Sequence, residues 1–213
     1  MLSFYQGLLF DNDGVLVESM HGATEAWRLW GKEFSPGFEL LQSHHGMRAQ
    51  DLVLELVGAE NFKVANDRIN QLELKVAHLT TALKGAVELT TSLVAGTWTV
   101  VTSANQELAA ARLTAAGMPI PKELVSATDV SKGKPDPEPY LLGAKRLGLD
   151  ISECVVFEDA AAGIQAGLEA GAGLLVGVTE YAMDTQADLV VSSLMGITFK
   201  DGELFIPDSL RLR

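Results

Sequence analysis

Short apolar runs that end in polar or glycine residues recur along the chain and set its predicted architecture. The runs that favour buried strands cover residues 8–10, 98–101, 155–157, 174–178 and 189–191. Between the later runs lie alanine-rich stretches with helical periodicity, such as 106–117 and 163–171. Buried apolar strands that alternate with helices are typical of βαβ units, so the pattern predicts an α/β core around a parallel sheet.

The stretch from residue 17 to residue 83 has a different pattern, with helical periodicity and no convincing strand. Helices are predicted over residues 20–34, 50–57 and 64–83. A helical insertion at the carboxyl edge of a parallel sheet lies over the crevice where α/β proteins bind ligands. We therefore predict a core formed by residues 1–16 and 84–213 and a helical cap formed by residues 17–83.

Composition and charge narrow the range of partners. The chain has 213 residues, of which 47% are hydrophobic, which is enough for one sizeable core and a small appended domain. The formal net charge of -12 disfavours nucleic acid and anionic membranes as partners. The same charge would repel a phosphate group, so a phosphate site would need cations of its own.

Cysteine usage and hydropathy bear on the compartment. Cys154 is the only cysteine and cannot form a disulfide within the chain. The sequence shows no signal peptide and no apolar run long enough to span a membrane. We accordingly expect a cytoplasmic protein, and the small size is compatible with a monomer.

Two aspartates that follow the first predicted strand are the leading candidates for chemistry. The apolar run 7–10 leads into Asp11, Asn12, Asp13 and Gly14. A strand followed by a glycine turn directs both carboxylates out of the same sheet edge. One carboxylate can attack a phosphorus atom while the other transfers a proton, and the pair can also bind a hard metal ion. The alternative is an Asx-rich turn that caps the strand.

A hydroxyl pair and a lysine lie beyond a later strand. Thr102 and Ser103 follow the run 98–101, where the Thr102 hydroxyl and nearby backbone N–H groups can donate to a phosphoryl oxygen. A β-branched residue that only ends a strand is the alternative. Lys134 lies in a Gly-Lys-Pro-Asp-Pro loop whose prolines restrict the backbone, and it would neutralise both the nucleophile and a phosphoryl oxygen. A solvated turn lysine is the alternative.

An acidic pair follows the run 155–157. Asp159, with Glu158 beside it, would complete a magnesium site, because Mg²⁺ prefers oxygen ligands from a few carboxylates, water and substrate phosphate. Alternatively, Asp159 caps the helix predicted over 160–170. Each of these motifs is ambiguous alone, but their order along the chain is hard to obtain by chance.

The ordered motifs resemble those of the haloacid dehalogenase superfamily of phosphotransferases, in the branch with a small helical cap after the first motif. The resemblance covers essentially the whole chain. It rests on Phe-Asp-Asn-Asp-Gly-Val-Leu at 10–16, Val-Val-Thr-Ser at 100–103, Gly-Lys-Pro-Asp-Pro at 133–137 and Val-Phe-Glu-Asp at 156–159. It implies a Rossmann-like, doubly wound parallel sheet with an inserted α-helical cap.

The resemblance also implies roles for the residues that carry the chemistry. Asp11 would be the nucleophile and Asp13 the general acid and base. Thr102 and Lys134 would hold the phosphoryl group, with Ser103 at the same turn.

A magnesium ion is the implied cofactor. Its ligands would be the carboxylates of Asp11 and Asp159 and the backbone carbonyl of Asp13. Glu158 would be a nearby ligand or would support one.

Members of this superfamily differ in reaction, and the sequence narrows the choice. The dehalogenases lack the second aspartate, whereas Asp13 is present here, and Lys32 does not match the Schiff-base lysine of phosphonate-cleaving members. β-Phosphoglucomutases carry a histidine twelve residues after the nucleophile. Here Ala23 occupies that position, and His21 lies on another helical face. The resemblance favours hydrolysis, with a mutase-like isomerase that moves phosphate between hexose carbons as the alternative.

The segment Gly46-Met47-Arg48 in the cap is similar to the substrate loop of small bacterial sugar-phosphate phosphatases. Arg48 would then bind hydroxyls or a second anionic group of the substrate, and a surface arginine that begins a helix is the alternative. We predict a Mg²⁺-dependent phosphatase of small phosphorylated metabolites, chiefly sugar phosphates, that works through an aspartyl-phosphate. A phospho-aspartate signalling module is a further alternative, but such modules lack an inserted helical cap.

Overall fold

The computed structural model describes residues 4–213. Within that range the strands are β1 (Gly7–Phe10), β2 (Val17–Glu18), β3 (Thr81–Ala82), β4 (Trp98–Val100), β5 (Cys154–Glu158), β6 (Leu174–Val178), β7 (Leu189–Val191), β8 (Thr198–Lys200) and β9 (Glu203–Phe205). The α-helices are α1 (Met20–Phe34), α2 (Ala49–Val76), α3 (Ala86–Ser92), α4 (Gln106–Ala115), α5 (Glu138–Leu147) and α6 (Ala161–Ala170).

A five-stranded parallel sheet in the order β4-β1-β5-β6-β7 forms the centre of the core. Alternate side chains of each strand enter different buried clusters; in β1, Leu8 and Phe10 pack on one face and Leu9 on the other. Helices α3 and α4 cover the first face, and α5 and α6 cover the second. Burial on both faces explains why the strands are continuous apolar runs, and the predicted doubly wound α/β core is confirmed.

Helices α1 and α2 pack against each other and enclose a third buried cluster of their own. Trp30 lies in this cluster and donates its indole N–H to the carbonyl oxygen of Ala65 at 2.8 Å. Gly58, with a φ of 70°, breaks α2 into two arms. The predicted helix over 64–83 was too long, because the second arm already ends at Val76.

Two short strands join the helical unit to the core. β2 pairs antiparallel with β3, so that Val17 lies opposite Ala82. The expectation of no strand between residues 17 and 83 was therefore wrong, since two-residue strands carry no alternation that a sequence pattern can reveal. None of the helices in residues 4–213 combines the length and the apolarity that a membrane span requires.

Candidate active site

The carboxyl ends of three neighbouring strands bring the predicted residues to one edge of the sheet. β1 runs parallel to both β4 and β5. Asp11 follows β1, Thr102 lies two residues beyond β4, and Glu158 is the last residue of β5. All three residues are buried, and a cavity of about 190 Å³ opens between this edge and the helical unit.

Lys134 forms hydrogen bonds with residues that follow or end all three strands. Its ammonium group donates to Asp11 Oδ1 at 2.6 Å, to Glu158 Oε1 at 2.6 Å and to the carbonyl oxygen of Val101 at 3.0 Å. Burial alone lowers the pKa of Lys134, but the charges of Asp11 and Glu158 outweigh burial and raise it above its usual value. The side chain is fully buried, so the alternative of a solvated lysine is wrong.

Carboxylates are crowded at the same place. Oxygen atoms of Asp11, Glu158 and Asp159 lie within 4.8 Å of one another. Burial raises the pKa of Asp11 to about 7; Lys134 opposes this, while Glu158 and Asp13 add to it. Burial and the charge of Glu158 likewise hold the pKa of Asp159 well above its usual range. Buried carboxylate oxygens with so little compensating charge fit a hard cation such as Mg²⁺.

Two glycines allow these carboxylates to approach the backbone. Gly14 has a φ of 87°, and a Cβ there would lie 2.0 Å from a carboxylate oxygen of Asp159. A Cβ at Gly163 would lie 1.6 Å from a carboxylate oxygen of Glu158. Both positions exclude larger residues, which gives a physical reason for a glycine after the second aspartate of the first motif.

Glu158 orients its neighbours with both carboxylate oxygens. Oε1 accepts from Lys134 and from the hydroxyl of Tyr140 at 3.0 Å. Oε2 accepts from the backbone N–H groups of Asp159 and Ala160 at 2.9 and 3.0 Å. Glu158 thus holds Ala160, the residue that directly precedes helix α6. The alternative in which the Asp159 side chain caps this helix is not observed. A direct metal contact by Glu158 stays a prediction.

The hydroxyls of Thr102 and Ser103 point to different partners. Thr102 Oγ1 accepts from the backbone N–H of Ala104 at 3.1 Å, and its own proton has no acceptor among the described residues. That proton is available to a phosphoryl oxygen. Ser103 Oγ instead donates to the carbonyl oxygen of Gly46 at 2.6 Å, which joins core and cap. Both residues line the cavity, so a phosphate contact by Ser103 and a substrate contact at Gly46 stay predictions.

Arg48 makes contacts with the core that the sequence did not suggest. Its Nε and Nη2 donate to the carboxylate of Asp51 at 2.7 and 2.8 Å. Its two terminal nitrogens also donate to the carbonyl oxygens of Val130 and Ser131 in the core, both at 3.2 Å. The residue is buried, so the surface alternative is wrong. In this arrangement the guanidinium holds the cap against the loop that leads to Lys134. Arg48 also lines the cavity, so the substrate contact stays a prediction.

Sequence reasoning missed the partners of Asp13. Its Oδ1 accepts from Ser19 Oγ at 2.5 Å and forms an ion pair with Arg112 Nη1 at 3.0 Å. Arg112 Nη2 lies 3.2 Å from Oε1 of Glu73 in the second arm of α2. A signal for Arg112 was present in the sequence, since it falls on the apolar face of α4 beside Leu113, where a charge needs a partner. In an Asx turn the carboxylate would accept from a nearby backbone N–H group. Both of these partners of Asp13 are side chains, so the alternative of a turn that only caps the strand is not observed for Asp13.

The cap end of the cavity is mainly neutral. Apolar side chains line it, together with amides of the second arm of α2; they include Trp27, Leu40, Met47, Asn66 and Asn70. Both arginines in the lining are paired with carboxylates. Burial, helped by the neighbouring His44, lowers the pKa of His45 in this lining. Ala23 also lines the cavity, at the position where the mutases carry a histidine.

Comparison with known proteins identifies the family. Residues 5–171 match the model of the haloacid dehalogenase-like hydrolases. The chain is similar to hexitol phosphatase A of Escherichia coli (strain K12), with 39% identity over 204 residues that cover 91% of this chain and 93% of that protein. The chain therefore belongs to the haloacid dehalogenase-like hydrolases, and the prediction of a phosphatase is confirmed at the level of enzyme class.

Solved structures share the fold. A hydrolase from Pseudomonas syringae superposes with a TM-score of 0.78 at 26% identity, covering 89% of this chain and 94% of that one. A β-phosphoglucomutase from Clostridium difficile gives a TM-score of 0.77 at 22% identity, covering 89% of this chain and 92% of that one. Identity this low in the second case shows a common fold only, so the choice between phosphatase and mutase depends on the site itself.

Proposed function

We propose that this chain is a Mg²⁺-dependent phosphatase of small phosphorylated sugars and polyols that works through an aspartyl-phosphate on Asp11. The main support is the arrangement of charged residues at the sheet edge. Asp11 is buried, hydrogen-bonded to a buried Lys134 and adjacent to the carboxylate of Asp159. The free proton of the Thr102 hydroxyl supplies a donor for the phosphoryl group beside it.

The proposed reaction has two steps on these residues. A carboxylate oxygen of Asp11 attacks the phosphorus, the bond from phosphorus to the sugar oxygen breaks, and Asp13 donates its proton to that oxygen. Water then attacks the phosphorus and gives a proton to Asp13, while the bond from phosphorus to Asp11 breaks and inorganic phosphate leaves. Lys134 holds the Asp11 carboxylate in place throughout.

We propose that the carboxylates of Asp11 and Asp159 and the backbone carbonyl of Asp13 hold Mg²⁺, with Glu158 close by. The support is burial of the carboxylates together with their mutual repulsion. Both raise the pKa of Asp11 and of Asp159, and a bound cation would offset them. When bound, Mg²⁺ would offset negative charge on the phosphoryl oxygens.

The cap end of the cavity favours hydrolysis of a monophosphate over isomerisation through a bisphosphate. A bisphosphate needs a second cationic site, yet both lining arginines are already paired with carboxylates. Neutral amides such as Asn66 and Asn70 suit hydroxyl groups. The similarity to a hexitol phosphatase supports a sugar or polyol as the leaving group.

We also propose a cytoplasmic monomer without nucleic-acid or membrane partners. The net charge of -12 supports the absence of nucleic-acid and membrane partners, and the single, buried cysteine suits a cytoplasmic protein. The size of 213 residues is compatible with a monomer.

A substrate panel tests the proposal. Hexitol, hexose and glycerol monophosphates should release inorganic phosphate in Mg²⁺; EDTA should abolish the release, and excess Mg²⁺ should restore it. Undiminished turnover in EDTA would contradict the proposed metal site. β-Glucose 1-phosphate with a catalytic amount of glucose 1,6-bisphosphate should also yield inorganic phosphate. Formation of glucose 6-phosphate in its place would establish the isomerase.

A further inference from the structure

Arg112 lies between the core and the cap and contacts a carboxylate of each. It extends from core helix α4, and its side chain is only 7% exposed. One terminal nitrogen lies 3.0 Å from Asp13 Oδ1, and the other lies 3.2 Å from Glu73 Oε1. The planar fork of a guanidinium can bind two carboxylates in fixed directions, which a lysine ammonium cannot do equally well.

The contacts of Asp13 hold one of its two carboxyl oxygens more firmly than the other. Oδ1 receives the short bond from Ser19 Oγ and the ion pair with Arg112. Oδ2 has one contact among the described residues, a longer bond of 3.2 Å from the side-chain amide of Asn12. Asp13 also lines the cavity. The arrangement fixes the carboxyl group through Oδ1 and leaves Oδ2 lightly engaged.

We propose that Arg112 is a positioning residue for proton transfer, which orients Asp13 through an ion pair shared with Glu73 of the cap. The inference deepens the proposed function and rests on it. Because Glu73 belongs to the cap, the guanidinium has both partners only while the cap lies against the core. Cap closure over a substrate thus sets the direction of the proton donor. The geometry of catalytic groups matters at the level of 1 Å, where misplacement can cost about 10²-fold in rate.

The choice of leaving group tests this role. Under single-turnover conditions in Mg²⁺, with enzyme in excess, alcohol release from sorbitol 6-phosphate is compared with p-nitrophenolate release from p-nitrophenyl phosphate. A hexitol alkoxide must be protonated as it leaves, whereas p-nitrophenolate is a stable anion that leaves without a proton. Arg112→Met should slow the sorbitol 6-phosphate reaction by about 10²-fold and change the p-nitrophenyl phosphate reaction by only a few-fold.

Thermal denaturation shows whether Arg112→Met folds. If it does not, two milder variants test the same role. Arg112→Lys retains the charge without the fork, and Glu73→Gln retains the shape of the cap partner without its charge. Each should lower the ratio of the sorbitol 6-phosphate rate to the p-nitrophenyl phosphate rate by roughly tenfold, because each weakens the orientation of Asp13. Arg28→Met, which removes an exposed cap arginine paired with Glu25, should leave the ratio unchanged.

The outcomes separate this inference from the proposed function. Equal loss on both substrates, or no loss, in the variants that fold would overturn the positioning role. Phenyl phosphate separates this role from a defect in the cap, because it matches p-nitrophenyl phosphate in shape but leaves as a more basic anion that needs a proton. The variants should slow phenyl phosphate more than p-nitrophenyl phosphate, and an equal loss on these two would also overturn the role. Asp11→Asn in the same assay should stop both reactions. Continued release from both substrates in that variant would overturn the proposed function itself.

Discussion

At the sheet edge beside the cavity, buried charged side chains bind one another, whereas neutral and apolar side chains predominate at the cap end of the cavity. Lys134 contacts Asp11 and Glu158 in the first region, with no exposure of its side chain. In the second region, Trp27 and Asn70 face the same cavity without a formal charge. Fixed charges suit the phosphoryl group, which every substrate shares, and neutral surfaces suit the part that differs between substrates.

The two regions are held together by arginines that cross in opposite directions. Arg48 extends from the cap to carbonyl oxygens of the core at Val130 and Ser131. Arg112 extends from the core to Glu73 in the cap. We therefore expect substitutions at the sheet edge to lower the turnover of all substrates alike. Substitutions at the cap end should change the preference among substrates.

The largest expected effect is at Asp11. Asp11→Asn keeps the size of the side chain but removes the nucleophile, so turnover should fall by about 10⁴-fold or more on every substrate. Phosphate release measures the loss, and circular dichroism should show an unchanged fold. Asp184→Asn, at an exposed aspartate, is the matched control and should retain full activity. Near-normal turnover in Asp11→Asn would show that Asp11 is not the nucleophile and that the sheet edge does not hold the reacting phosphoryl group.

The next effect concerns stability at the sheet edge. Lys134→Met removes the cation between Asp11 and Glu158, and breaking a buried ion pair from one side costs about 3 kcal/mol of unfolding free energy. Urea unfolding measures the loss. Lys132→Met is the control, because Lys132 is 74% exposed and its ion pair with Asp136 should contribute at most about 1 kcal/mol. Equal unfolding free energies for the two variants would show that the buried cluster is held by other contacts.

The smallest expected effect is at Asn70, at the cap end of the cavity. Asn70→Ala removes an amide that lines the cavity and accepts from Asn105 at 3.2 Å. Loss of one hydrogen bond to a substrate hydroxyl, worth about 1 kcal/mol, should lower kcat/KM for hexitol phosphates roughly fivefold and leave p-nitrophenyl phosphate unaffected. Gln71→Ala, at an exposed neighbour on the same helix, should change neither. A parallel loss on both substrates would place the role of Asn70 in structure rather than in selectivity.

The sheet-edge residues were predictable because local patterns encode them. An apolar strand followed by Asp11 can be recognised in the sequence, and parallel strands necessarily place their carboxyl ends at one edge. The ribbon of β2 and β3 was not predictable, since it consists of two residues on each side. The predicted role of Arg48 followed a likeness of the cap loop and missed its core partners, the carbonyl oxygens of Val130 and Ser131.

The α/β core, the helical insertion, and the order of Asp11, Thr102, Lys134 and Glu158 along the chain can all be read from the amino-acid sequence, because each follows from short-range periodicity or a local motif. Which charges neutralise one another depends on the folded arrangement. Arg112 and Glu73 are 39 residues apart and belong to different parts of the fold. Their pairing depends on how the cap lies over the sheet, because the desolvation of a buried charge is set by its neighbours in space.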